Sequence, residues 1–147
     1  MQPLAYAPAR TASRMAGMYT DVGVQGAAAS ENAGHALIGM LFEAALGALA
    51  RARGAIQQGD VEGKAHGIGK ALAIVGEGLR ASLNVAQGGT LARDLDQLYG
   101  YIELRLTQAN LRNDTAAIEE CATLLRPLQE AWQQIAPQVL RPAHAAA

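Results

Sequence analysis

The chain has 147 residues, enough for one domain with one hydrophobic core and too few for two comfortable ones. Half of the residues are apolar, yet no stretch of about 18 lacks polar interruption, which argues against a membrane span. A formal charge of −1 without a basic run argues against nucleic-acid binding, and one cysteine, Cys121, excludes an internal disulfide and a cysteine-rich zinc site.

The first residues, MQPLAYAPARTASRMAG, hold no continuous apolar run of the kind a secretory signal needs. With so few cysteines, a reducing, cytoplasmic setting fits best. Aromatic residues make up only 4% of the chain. The core must therefore be built from Ala, Leu, Ile and Val, which suits helices crossing at short distance.

Residues 1–32 show little periodicity, with Pro3 and Pro8 early and the small residues of QGAAASENAG late, and are expected to form an N-terminal arm, mobile or partly helical. A helix is expected over 34–57, where Ile38, Phe42, Ala45, Leu49, Ala52 and Ile56 step by three and four along one face. Gly59 suits the left-handed position that ends it, and Asp60 is placed to cap a second helix over 61–84, with the stripe Val61, Ala65, Ile68, Leu72, Val75, Leu79 and Leu83. QGGT reads as the next turn, with Thr90 as N-cap of a third helix over 91–111 that buries Leu91, Leu95, Leu98, Ile102, Leu106 and Ala109. Asp114 caps the fourth, whose stripe is Ala117, Cys121, Leu124, Leu128, Ala131 and Ile135 and which Pro127 should bend. Four helices of similar length with tight connections predict an all-α, antiparallel up-down four-helix bundle over 33–137, followed by a disordered tail over 138–147.

Glycines interrupt the second helix at 63, 67, 69, 76 and 78, and each costs roughly 1 kcal/mol against Ala in a helix interior. Gly63, Gly67, Ala71, Ile74, Gly78 and Ala81 line up as a second stripe, roughly 120° from the first. This is either a smooth groove for a partner's helix or a wider core in which small residues set helix spacing. The same alternatives apply to Tyr101, Leu104 and Leu111 on the third helix. On the fourth, Ile118, Leu125, Trp132 and Val139 recur every seven residues, and for Trp132 the core is favoured.

No constellation carries chemistry. Glu31–His35 and Glu62–His66 are four apart, not the three that a di-iron bundle requires. GKAHGIGK lacks the Gly-Lys-Ser/Thr ending of a phosphate-binding loop, and Cys121 lies on a core stripe. No catalytic residue, metal ligand or cofactor site is expected, and the chain is not read as an enzyme.

The segments LIGMLFEAALGALARAR, QQGDVEGK, GLRASLN, GGTLARDLDQLYGYI, RLTQANLRNDTAAIEE and AWQQIAP resemble the FliS family of flagellar export chaperones, from about Tyr19 to Pro137. Several fall at turns, where helix periodicity would not dictate them. The resemblance implies a cytoplasmic, cofactor-free helical bundle that binds the disordered C-terminal segment of flagellin in hydrophobic grooves. It also implies that binding prevents premature polymerisation and helps deliver the subunit to the flagellar export gate of the type III apparatus. It further implies an arm tyrosine near the groove, for which Tyr19 in GMYTDVGVQ is the candidate. The residues expected at the partner are Tyr19, Gly67, Ala71, Ile74, Gly78, Tyr101, Leu104 and Leu111. Monomer and homodimer both stay open, as does an adaptor of the same fold whose main partner is another export or regulatory protein.

Overall fold

The structure, a computed structural model, describes residues 30–139, with side chains from 34 to 134. Its helices are α1 (Ser30–Gln58), α2 (Val61–Ala73, continued by a π-helical segment, Ile74–Arg80), α3 (Val85–Arg112) and α4 (Thr115–Val139). Among the described residues there is no strand. α1 packs on α2 and α4, and α3 on α4 and the π-helical segment. With the tight turns between successive helices, this is the expected antiparallel bundle.

Two of the turns use the same local chemistry. After α1, Gly59 takes φ +74°, and the N–H groups of Gly59 and Asp60 donate to the carbonyls of Ile56 and Ala55, closing the helix end. After α3, Asn113 takes φ +54° and the Asp114 N–H reaches the Ala109 carbonyl. The aspartate that follows then caps the next helix. Asp60 accepts from the Gly63 N–H at 2.9 Å and Asp114 from the Ala117 N–H at 3.2 Å.

The core contains the expected faces of α1 and α3, from Ile38 to Ala52 and from Leu91 to Ala109. On α4, among the residues whose side chains are described, Ile118, Leu125 and Trp132 of one stripe are buried together with Ala117, Cys121 and Leu128 of the other, and Leu124 is half-buried. Trp132, 3% exposed, stacks on His35 at 4.8 Å, and each ring nitrogen bonds the other residue's carbonyl: Trp132 Nε1 donates to His35 O at 2.9 Å, and His35 Nε2 donates to Trp132 O at 3.0 Å. This pair fastens the start of α1 to the end of α4. Residues Gly34–Gln58 are apolar enough by composition to cross a membrane, with mean hydropathy 1.3, but their apolar face is the bundle core.

Two details differ from the expectations. The helix expected after QGGT is preceded by a short helical turn: Asn84 caps that turn, accepting from the Gln87 N–H at 3.1 Å, and the chain then kinks within QGGT, at Gly89 with φ +67°, ψ −145°, before the long part of α3 runs on. That conformation is open to glycine and closed to L side chains. α4 holds Pro127 inside it, as expected, and Pro127 and Thr123, whose carbonyl it leaves unpaired, both lie on the exposed side within reach of water. Val61 and Ala65 are exposed, while Gly67 and Ala71 are buried in their place.

The burial of Gly67 answers the question posed by the glycines of α2. A Cβ on Gly67 would lie 3.0 Å from the Ala48 carbonyl oxygen and from the Ala52 backbone nitrogen, so the α1 backbone occupies the space a side chain would need. Gly69, on the solvent side, would meet nothing within 4 Å. Gly67→Ala is therefore expected to destabilise the chain by about 1–3 kcal/mol through overpacking. Gly69→Ala is expected to stabilise it by about 1 kcal/mol. Urea unfolding of the two variants side by side checks both signs.

Candidate partner-binding surfaces

α3 turns an apolar strip outward. Tyr101, Leu104 and Leu111 share one face by their spacing of three and seven, with exposures of 41%, 55% and 80%. The strip is bordered by a charged network on each side. Toward α4, the Tyr101 hydroxyl donates to Glu120 Oε2 at 2.5 Å, and Arg105 Nε donates to Glu120 Oε1 at 2.8 Å. Toward α2, Arg80 donates to Asp96 at 2.8 Å and to Glu103 at 2.7 Å.

Two glycines make room for the second network. A Cβ on Gly100 would press on the Arg80 guanidinium at 3.1 Å, and one on Gly76 would collide with the Glu103 carboxylate. The guanidinium thus lies flat between α3 and the π-helical segment. Pairing with Asp96 first, and then with Glu103, holds its pKa above the ordinary arginine value.

A second apolar surface lies where α1 meets the π-helical segment. Leu37 and Met40 are exposed, the latter by 64%, and Leu41, one turn after Leu37, covers Gly78, where a Cβ would sit 3.1 Å from Leu41 Cδ1. Ile74 packs against the core and remains partly open. The π-helical segment is marked by the Ala81 N–H, which donates five residues back to the Gly76 carbonyl at 3.1 Å.

The predicted contact residues therefore separate. Tyr101, Leu104 and Leu111 form one exposed strip, and Ile74 and Gly78 border another surface with Leu37 and Met40. Gly67 and Ala71 face α1 and are buried, so this part of the glycine strip is helix spacing, not an open groove. Tyr19 lies outside the described residues. Leu37 and Met40 were missed because the periodicity of α1 points to its buried face, and an apolar residue off that face carries no signal of its own.

No group of three metal-ligating side chains occurs among the described residues. Cys121 is buried, its thiol pushed up to about 12, chiefly by desolvation. It stays protonated near neutral pH and is a poor nucleophile there.

The comparison with known proteins settles the lineage. Residues 15–139 match the family model described as flagellar protein FliS. The chain belongs to the FliS family. It is 48% identical over 120 residues to the flagellar secretion chaperone FliS of Salmonella typhimurium, covering 82% of this chain and 88% of that one. The FliS of Escherichia coli is 40% identical over 116 residues (79% and 85%), and FliSB of Pseudomonas aeruginosa 39% over 117 (80% and 91%). FliS proteins are chaperones of flagellar secretion, and the all-α bundle described above is the form this member takes.

The Tyr101–Glu120 bond gives this surface a pH dependence. Donation from Tyr101, and then from Arg105, holds the Glu120 carboxyl below its ordinary value of 4.5. A depressed folded-state pKa adds stability above the unfolded value, and that stability is lost as pH falls through the folded value. Tyr101→Phe is expected to move the Glu120 titration up toward 4.5 and to shrink the stability change over that acidic window. Carboxyl-carbon NMR across pH 2–6 reads the shift; an unchanged titration would sink the assignment.

Proposed function

We propose that this FliS-family chain is a cytoplasmic, non-enzymatic chaperone that binds the disordered C-terminal segment of flagellin, keeps it from polymerising early and hands it to the flagellar export gate. The observation that carries the proposal is the exposed strip Tyr101, Leu104 and Leu111 on a chain of this family. Outward leucines set between ion-paired rims are what an amphipathic segment needs: apolar sockets in the middle and polar partners at the edge. The surface at Leu37, Met40, Ile74 and Gly78 offers a second contact along the same client, and Tyr19 in the preceding arm a third. Gly67 and Ala71 contribute by letting α1 and α2 close, not by touching the client.

The client orders as it binds, and that ordering consumes part of the interaction energy. A broad apolar platform is therefore required, and a catalytic centre is not. Such binding buries apolar area and gives a negative heat-capacity change.

Calorimetric titration with the C-terminal segment of the flagellin from the same organism is expected to show saturable one-to-one binding with that signature. Leu104→Glu combined with Leu111→Glu should weaken binding at least tenfold, while exposed substitutions of this kind change stability by only about 0.5 kcal/mol each. Full binding by a folded double variant would remove the α3 strip from the interface. Absence of binding by the unaltered, folded chain would reject flagellin as the client.

A further inference from the structure

A groove of about 300 Å³ runs between the second half of α1 and the first half of α4, and α3 contributes no residue to it. Its floor is apolar, formed by Leu46, Leu49, Ile118 and Ala122. Along its α1 side the residues are small, Ala50 and Gly54. Gly54 differs from Gly67: a Cβ there would meet nothing within 4 Å, so no neighbour requires its absence. A glycine inside an exposed helix costs about 1 kcal/mol against Ala, and packing does not account for this one. Its effect is to leave the trough open.

The rim is charged and unbalanced. Arg53 and Arg126 face each other across the groove with Glu119 as the single carboxylate lining it. Arg53 takes that carboxylate at 2.7 Å, whereas Arg126 stands 3.7 Å from it and is more than half exposed. Two guanidiniums against one carboxylate leave one positive charge, carried by a planar fork whose geometry matches a second carboxylate.

We propose that this groove is a second docking site, separate from the α3 strip, and that it takes a short acidic–aliphatic peptide segment of a partner protein. An aliphatic side chain of that segment lies in the trough over Gly54 and Ala50, and a neighbouring carboxylate pairs with Arg126. The charge excess selects the occupant: an apolar segment with basic flanks meets repulsion at both guanidiniums. The open trough and the incompletely paired arginine are independent features of the same groove, and one ligand chemistry satisfies both.

The test uses the full chain, labelled with 15N, and two probes, the acidic peptide acetyl-ELLDELLE-amide and the basic peptide acetyl-KLLKKLLK-amide. The acidic peptide is expected to shift the amides of Ala50, Gly54 and Ala122 in a saturable way, weakening about tenfold between low and high salt, and the basic peptide to leave them in place. Arg126→Glu and, separately, Gly54→Leu should each weaken the acidic peptide at least tenfold, with both variants still folded by circular dichroism and the Gly54→Leu melting temperature equal to or above that of the parent chain. Equal response to both peptides, unchanged affinity in both variants, shifts confined to α3, or no shift at millimolar peptide would each overturn the proposal. The Leu104→Glu, Leu111→Glu chain separates it from the flagellin proposal: that chain should lose the client and keep the acidic peptide.

Discussion

The close approach of α1 and α2 at Gly67 is the constraint on which the rest of the bundle depends. Helices normally meet through side chains, at interaxial distances of about 8–10 Å. Here the space for the Gly67 side chain is filled by the Ala48 carbonyl and the Ala52 backbone of the opposite helix. Small residues on both partners, Ala48 and Ala52 opposite Gly67, let a core with few aromatics close on itself. The propensity lost to glycine is offset by backbone atoms meeting in dry contact, each pair small and the sum large.

Once α1 and α2 are set this closely, the continuation of α2 must still reach α3, and the π-helical segment does this. A π turn takes in one more residue than an α turn, so the chain from Ile74 to Arg80 rotates less per residue and carries its apolar face along. Val75, Leu79 and Leu83, four apart each time, all reach the core. The same segment delivers Arg80 to Asp96 and Glu103, with Gly100 making room for the guanidinium and Gly76 for the Glu103 carboxylate. Being part-exposed, these ion pairs add little stability individually. Their contribution is positional: they fix how α3 sits against α2.

Much of this was legible in the sequence. The turns at Gly59–Asp60 and Asn113–Asp114 could be read from residue types, because a left-handed position and an N-cap have strict chemical preferences. The core faces of α1 and α3 followed from the spacing of large aliphatic residues. The buried face of the first turns of α2 was misassigned because Gly and Ala are equally at home in a tight interface and on an open surface, so their pattern does not say which; Val61, a better apolar marker, sits in the first turn and is exposed. The four-residue steps of Val75, Leu79 and Leu83 carried the trace of the π-helical segment, although an α-helix tolerates one or two such steps and the signal is weak. At the candidate site, Tyr101, Leu104 and Leu111 could be found as apolar residues off the core stripe, but their flanking networks could not, since each joins residues 15 to 23 positions apart.

Under the proposed function, those networks suit the α3 strip to a partner that arrives disordered. Tyr101, Arg105 and Glu120 tie one edge of the strip to α4, and Arg80, Asp96 and Glu103 tie the other to α2. The polar groups beside the leucines thus have partners within the bundle already and need not be reorganised when a client settles. Ordering cost then falls almost wholly on the client, the condition under which a flexible segment can still be held by a modest apolar area. The leucines themselves give up only hydration. A surface built this way is apolar where contact is wanted, held at both edges by the fold, and joined through Arg80 and the glycines beneath it to the same helix whose Gly67 lets the bundle close.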